Sequence, residues 1–101
     1  MTDNDFNSLI KWAENNDAYD IINISKKEII SVKTLNLSNL DIETLPLEFF
    51  ELENIENLYL SLNYIKKIPK EIKNLKKLKT LDISSNNIRV IPKEIFYLDK
   101  L

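Results

Sequence analysis

The stretch LYLSLNYIKKIPKEI, residues 58–72, decides the fold because a close copy of it lies on either side in the chain. LNLSNLDIETLPLEF occupies residues 35–49, and LDISSNNIRVIPKEI occupies residues 81–95. The interval from the start of one copy to the start of the next is 23 residues. A fixed period of roughly 20–50 residues is typical of repeat architectures, in which each copy stacks on its neighbours.

Each copy opens with alternating apolar and polar residues, as in Leu58-Tyr59-Leu60-Ser61. An alternation with a period of two predicts a β-strand with one face buried and the other exposed. The other two copies have the same alternation, so three such strands are expected. No single copy can bury its apolar face alone, and stacking would pair the strands in parallel.

A proline followed two residues later by a glutamate recurs in the three copies, at Pro46, Pro69 and Pro92. Proline fits the first position of a helix, because its φ is preset and its missing N–H would be unpaired there. A glutamate in the first turn interacts favourably with the helix dipole. We therefore expect each proline to open a short helical turn. Asn63 and Asn86, where the strands turn away, are expected to bond backbone groups of adjoining turns.

The pattern Leu-x-x-Leu-x-Leu-x-x-Asn-x-Ile-x-x-Ile-Pro-x-Glu-Ile-x-x-Leu, over about residues 29–101, resembles the leucine-rich repeat family. It is similar to the 23-residue class found in bacterial repeat proteins and in Ras-suppressor-like intracellular proteins. The resemblance implies a short right-handed α/β solenoid with a parallel β-sheet on its concave side. Leu40 stands at the family's asparagine position, so we expect the row of asparagine amides to begin only in the second repeat.

The N-terminal segment predicts a helical cap that shields the open edge of the first repeat. An apolar stripe with the spacing of an amphipathic helix runs from Phe6 to Ala13, and Trp12 lies on its flank. Asn4 or Asp5 is expected to cap this helix, which we place at residues 4–15. The alternative is a frayed tail.

Residues 19–32 are interpreted as a degenerate half-repeat without a strand. Tyr19 and Ile22 lie 23 residues before apolar positions of the first repeat, as do Ile29 and Val32. The run Ser25–Glu28 has capping-box spacing and predicts a short helix. The predicted organisation is one leucine-rich repeat domain over residues 1–101, with a helical cap (1–18), a half-repeat (19–32) and three repeats (33–101).

The composition excludes several kinds of active site. The chain lacks histidine, cysteine and glycine, and with them imidazole catalysis, the usual metal ligands and glycine-rich phosphate loops. We therefore predict a non-enzymatic protein with no catalytic residues, metal site or cofactor. The acidic, polar start does not resemble a signal peptide, and no apolar run is long enough to span a membrane. A cytoplasmic location is favoured, with export as an effector left open.

The exposed face of the strands is the best candidate for a binding site, since the family resemblance implies that ligands bind the concave surface. Small polar residues there surround one aromatic residue, Tyr59, which is a typical anchor for protein contacts. The candidate contact residues are Asn36, Ser38, Asn57, Tyr59, Ser61, Leu62, Thr80, Asp82 and Ser84, with Thr34 on the same face. The alternative is a solvent-facing sheet of no special function, with Asp82 an ordinary surface acid.

The net charge of −2 conceals an asymmetry between the two halves of the chain. Residues 1–56 carry 12 acidic and 4 basic side chains, a net charge of −8, whereas residues 57–101 carry 4 and 10, a net charge of +6. The lysines between Lys66 and Lys79 either bind an anionic surface or form a solvated face paired with acids of the first repeat. The expected pairs between repeats are Glu43–Lys66, Glu53–Lys76 and Glu56–Lys79. Nucleic acid is disfavoured, because these lysines are not interleaved with arginine or aromatic residues.

These observations predict a non-enzymatic module that binds a protein partner through the concave strand face. One alternative is a substrate-recognition fragment of a larger effector or signalling protein. Another is a binder of anionic surfaces through the lysine-rich second repeat. No polar closing segment follows the third repeat, so we expect an open edge, as in a truncated array, or a homodimer in which a second copy covers that edge.

Overall fold

The computed structural model describes residues 1–101. The helices are α1 (Asp3–Asn15), α2 (Tyr19–Ile22) and α3 (Lys26–Ile29), and the strands are β1 (Thr34–Asn36), β2 (Asn57–Tyr59) and β3 (Thr80–Asp82). A 3₁₀-helix follows each strand, at Leu47–Glu51, Lys70–Asn74 and Lys93–Tyr97. The chain is therefore a short right-handed α/β solenoid, in which each strand and its 3₁₀-helix make one repeat behind an N-terminal helical cap.

The three strands form one parallel sheet in the order β1-β2-β3. Leu35 pairs with Leu58, and Leu58 pairs with Leu81, so adjacent strands are related by the 23-residue period of the sequence. The leucines point into the core, because successive side chains of a strand point to opposite faces. The predicted parallel pairing is confirmed, and the polar neighbours of these leucines form the concave face.

The core is a single cluster of 20 buried hydrophobic residues that extends from Leu9 in α1 to Leu98 in the third repeat. Burial declines towards the third repeat. Leu35 and Leu58 are buried completely or nearly so, whereas Leu81 at the same repeat position is only partly buried. The first two repeats have a layer on either side, but no layer covers the far side of the third.

The three prolines do not open α-helical turns, and this part of the prediction is wrong. Their φ angles are −70°, −74° and −66°, as the proline ring requires, but their ψ angles of 152°, 160° and 144° are extended. Each proline therefore precedes a 3₁₀-helix instead of being its first residue. A 3₁₀-helix rises about 2.0 Å per residue against about 1.5 Å for an α-helix. Five residues then cover more of the return path to the next strand.

The side-chain amide of Asn63 ties the first two repeats together, as predicted. Its Oδ1 accepts bonds of 3.0 Å from the backbone N–H groups of Leu40 and Ile42. Its Nδ2 donates to the carbonyls of Leu37 and Leu60, each at 2.9 Å. Asn63 is only 4% exposed, so these bonds satisfy backbone groups that water cannot reach.

Asn86 repeats this arrangement between the second and third repeats. It accepts a bond from the Ile65 N–H at 3.0 Å and donates to the Leu60 and Ile83 carbonyls at 2.9 and 3.1 Å. The row of amides therefore begins at Asn63, as expected from leucine at position 40.

Helix α1 begins one residue earlier than predicted, and its N-cap is Thr2. The predicted caps, Asn4 and Asp5, are wrong. The Thr2 Oγ1 accepts a bond of 3.0 Å from the Asp5 N–H, because the extended backbone of Thr2 aims its hydroxyl at the first turn. Asp3 and Asp5 consequently lie in that turn, where carboxylates interact favourably with the helix dipole.

The cap packs on the first repeat through α1. Leu9 and Ala13 are fully buried in the common core, and Phe6 packs against it. The indole Nε1 of Trp12 donates a bond of 3.1 Å to the Thr44 carbonyl in the first repeat. The helical stripe predicted from the sequence therefore faces the core.

Residues 19–32 contain two single-turn helices and no strand. The capping box predicted at α3 is confirmed, since Ser25 and Glu28 exchange side-chain and backbone bonds. The predicted core position of Tyr19 is wrong, because its side chain is 70% exposed. Ala18 and Ile21 are buried instead, since α2 places residues three apart on one face.

Candidate functional site

The sheet register places the predicted contact residues in two rows across the concave face. The first row is Asn36, Tyr59 and Asp82, and the second row is Thr34, Asn57 and Thr80. Neighbouring strands of a sheet lie about 4.8 Å apart, so the members of each row are side by side. Tyr59 occupies the middle of the first row, between an amide and a carboxylate.

Hydrogen bonds between side chains hold this face together across the first two repeats. Asn57 Nδ2 donates to Thr34 Oγ1 at 3.1 Å. The Oγ of Ser61, just beyond the end of β2, donates to Ser38 Oγ at 3.2 Å. Because these groups are bonded to one another, the face presents its polar side chains in defined positions.

Asp82 is held as a carboxylate by the serine that follows β3. Its Oδ1 accepts bonds from the Ser84 Oγ at 2.7 Å and from the Ser84 N–H at 3.0 Å. These bonds lower the pKa of Asp82, the hydroxyl contributing most. The face therefore carries one negative charge at neutral pH, opposite the end of β2.

Leu62 combines exposure with an unusual backbone conformation. It is 57% exposed, and its φ of 58° lies in the left-handed region, which is unfavourable for a leucine. The equivalent positions in the first and third repeats are Asn39 and Ser85, whose φ angles are 58° and 54°. The turn thus requires this conformation in every repeat, and only the second repeat fills it with a large apolar residue.

Two residues near this face were not among the predicted contacts. Tyr64 is 54% exposed and follows the buried Asn63, so a second tyrosine lies close in sequence to Leu62. Its position between the conserved-type asparagine and isoleucine of the repeat pattern already indicated an outward side chain. Asp20 reaches the open edge of β1, where its Oδ2 accepts a bond of 3.3 Å from the Asn36 N–H. No sequence signal connects Asp20 with this strand.

The predicted charge pairs between repeats form in only one of three cases. Lys79 Nζ lies 3.2 Å from Glu56 Oε1, as expected. Neither Glu43 and Lys66 nor Glu53 and Lys76 form an ion pair, so those two predictions are wrong. Long exposed side chains gain little from pairing, and alignment of their backbone positions does not bring their ends together.

The lysines between residues 66 and 79 do not form one surface. They follow the path from the end of β2 to the start of β3, through the 3₁₀-helix Lys70–Asn74 and the turn after it. Lys77 bonds to Asn54 Oδ1 at 2.7 Å, in the first repeat. The lysine-rich segment therefore divides into groups that face different sides of the solenoid.

The structure contains no group of three or more acidic side chains placed to bind a metal ion. None of its helices has both the length and the apolar composition needed to cross a membrane.

Comparison with known proteins agrees with this architecture. A family model for the leucine rich repeat matches residues 30–88, more than half of the chain. A leucine-rich repeat protein of Leptospira interrogans has a solved structure that matches with a TM-score of 0.69 and 42% sequence identity. The match covers 77% of this chain and 21% of the other, so the chain spans about a fifth of the length of the Leptospira protein. No curated protein is a significant match.

Stacked strand and 3₁₀ units, joined by a row of buried asparagines, define a repeat solenoid. The chain belongs to the leucine-rich repeat family, as the sequence pattern predicted. Membership places it in general among protein-interaction modules, whose fold is typically a non-enzymatic scaffold.

Proposed function

We propose that the chain is a protein-binding module whose partner contacts the concave face around Tyr59 and Leu62. The observation that carries this proposal is the register of the sheet, which sets Tyr59 between Asn36 and Asp82 on adjacent strands. A tyrosine provides a large contact area and one hydroxyl at a low cost in side-chain entropy, which suits a binding anchor.

The surroundings of Tyr59 support this choice. The bonded pairs Asn57–Thr34 and Ser61–Ser38 keep the neighbouring polar groups in place before any partner arrives. Groups fixed in advance lose less conformational entropy on binding. Leu62 adds an exposed apolar side chain beside the end of β2, and backbone strain at an exposed residue is itself a reason to suspect function.

The test compares the proteins captured from a lysate of cells that express this chain. The bait is either the wild type or the double variant Tyr59→Ala/Asp82→Ala, with folding verified by circular dichroism. We expect a captured protein to disappear with the variant, because both substitutions remove side chains from the first row of the face.

A matched control removes the same two residue types from another surface. Tyr97 and Asp99 are exposed near the 3₁₀-helix of the third repeat, away from the strands. The variant Tyr97→Ala/Asp99→Ala should retain the captured protein. Retention by the concave-face variant, or equal loss with both variants, would contradict the proposal.

A second candidate is that the chain is the recognition part of a larger effector or signalling protein. The length of the Leptospira protein, of which the match covers only 21%, favours this candidate. An immunoblot of the producing cells tests it, since a native band near the 11.9 kDa of this chain would argue against it.

The homodimer through the edge of the third repeat also stays a proposal. Val90 and Phe96 there are 74% and 82% exposed, which gives that edge apolar surface to bury. Sedimentation velocity over a range of concentrations tests it, and a monomer throughout would contradict it.

A further inference from the structure

A second surface with binding character lies on the flank of the solenoid, where the chain leaves the strands towards the 3₁₀-helices. A hollow of about 840 Å³ there is lined by residues 66–68 of the second repeat and by residues 87–90 and Pro92 of the third. A smaller hollow of about 380 Å³ adjoins it and shares Lys66 and Lys67. We call the larger hollow the flank groove. Its volume lies within the range usual for ligand pockets, about 300–1,000 Å³.

The flank groove combines apolar and cationic side chains. Ile68, Ile88 and Val90 contribute hydrocarbon surface, and Val90 is 74% exposed. Lys66 and Arg89 contribute positive charge, together with the adjacent Lys67, and no acidic residue lines the groove. A ligand that fills it must therefore offer both apolar surface and negative charge.

The cations of the groove are uncompensated. The ion pairs of the structure join Lys26 to Asp3 and Lys79 to Glu56, and neither involves the groove. Lys66 and Arg89 occupy the same position in successive repeats, so their backbones lie roughly 4.8 Å apart. Like charges held this close repel each other, and a bound anion would relieve the repulsion.

We propose that the flank groove binds an acidic peptide segment that carries a hydrophobic side chain, in addition to the partner of the concave face. The apolar lining accepts the hydrophobic side chain, and the three cations pair with carboxylates on either side of it. A protein segment fits better than nucleic acid, because the groove has no aromatic side chain on which a base could stack.

The groove also has a direction. Glu43 and Thr44 line the adjoining smaller hollow, on the other side of Lys66 from Arg89. The carboxylate of Glu43 disfavours negative charge at that end. The acidic residues of the ligand are therefore expected over the second and third repeats, and not over the first.

The experiment measures fluorescence anisotropy of a labelled peptide, Glu-Glu-Leu-Glu-Glu-Leu-Glu-Glu, as the whole chain is added at an ionic strength of about 0.15 M. We expect saturable binding that weakens about tenfold in the variant Lys66→Glu/Lys67→Glu, since two charge pairs become repulsive. Glu43→Lys should tighten binding several-fold. A peptide with serine in place of both leucines should bind more weakly, because only the hydrophobic side chains use the apolar lining.

The control is Lys73→Glu/Lys76→Glu, which makes the same change in net charge outside the groove at exposed positions. It should leave the affinity nearly unchanged, and so should Tyr59→Ala/Asp82→Ala, which tests the concave face separately. Equal losses in the groove and control variants would overturn the proposal, as would equal affinity for the serine peptide. Absence of binding, or tighter groove-dependent binding of single-stranded DNA or phosphatidylserine vesicles, would overturn it as well.

Discussion

Single residues of this chain adopt left-handed backbone conformations without any help from glycine, which is absent. The residues with positive φ are Asp17, Asn39, Asp41, Leu62 and Ser85. Asparagine and aspartate tolerate this region because their short polar side chains bond locally, and they fill three of the five positions. Leu62 has no such compensation, so its conformation is imposed by the repeat.

We expect Leu62→Asn to stabilise the protein by on the order of 1 kcal/mol, because asparagine relieves the left-handed strain. The same substitution should weaken binding of a concave-face partner, since it removes an exposed apolar contact. Urea denaturation measures the first effect, and capture of the partner measures the second.

The reciprocal substitution at the equivalent position provides the control. Asn39 has the same φ of 58° in the first repeat, so Asn39→Leu should destabilise by a similar amount. If both variants shift the urea midpoint in the same direction, backbone strain is not the cause.

The asparagine row gives a second expectation at this scale. Asn86→Ala should lower the free energy of unfolding by about 1–3 kcal/mol, because it leaves partly buried backbone groups unpaired. Asn63→Ala should cost more, since Asn63 is 4% exposed and its Oδ1 accepts two bonds.

Asn87 is the matched control for the same substitution. Its backbone N–H bonds to the Ile65 carbonyl at 3.0 Å, and alanine would retain that bond. Asn87→Ala should therefore change stability by less than about 0.5 kcal/mol. An equal cost at positions 86 and 87, measured by urea denaturation, would refute the role assigned to the amide.

Among the elements, β2 shows how sharply one strand separates core from surface. Leu58 is fully buried, whereas Tyr59 is half-buried on the concave face. Leu58→Ala should cost about 2–5 kcal/mol as a truncation in a packed core. Tyr59→Ala should cost much less, and thermal melts followed by circular dichroism compare the two. Similar melting temperatures for both variants would contradict the observed register.

The type and place of each element were predictable to different degrees. The strands and the cap helix follow from periods of two and of about 3.6 residues, which the sequence shows directly. The 3₁₀ form of the return path was missed, because five residues after a proline carry no pattern that distinguishes it from an α-turn. The cap at Thr2 was missed because Thr2, Asn4 and Asp5 are all acceptable caps, and only the packed position of α1 selects one.

For the whole molecule, the carboxylates predict a loss of stability in acid. Hydrogen bonds lower the pKa of Asp3, Glu56 and Asp82, the first two from lysines and the third from a serine. A group whose pKa is lower when folded contributes stability above its unfolded value, about 4, and that contribution is lost as the pH falls through the folded pKa. All three groups are exposed, so the individual contributions are small.

Glu51 opposes this trend. Burial, followed by the nearby Asp5, raises its pKa. Its contribution is present below the unfolded value and is lost as the pH rises through the folded pKa. We expect the urea midpoint to fall between about pH 5 and pH 3, because three lowered carboxylates outweigh one raised one. Glu56→Gln should flatten the fall and Glu51→Gln should steepen it. The opposite order of slopes would show that these assignments are wrong.

The candidate site was partly visible in the sequence. The period of 23 residues aligns Asn36, Tyr59 and Asp82, and a strand places all three on one face whatever surrounds them. The flank groove was not visible, since it depends on the space between segments of two repeats. Equal spacing likewise suggested the pair Glu43–Lys66, which does not form, because the ends of long side chains are free to point apart.

The sequence by itself determined the solenoid, the register of its sheet and the burial of Asn63, because each depends on a short-range period repeated three times. Only the tertiary structure decided which charges pair, that the third repeat keeps its apolar side chains exposed, and that Lys66, Lys67 and Arg89 share one groove. These properties depend on the distances between side chains of different repeats. A repeat period specifies where backbones lie relative to one another, whereas packing and solvation decide where long side chains end.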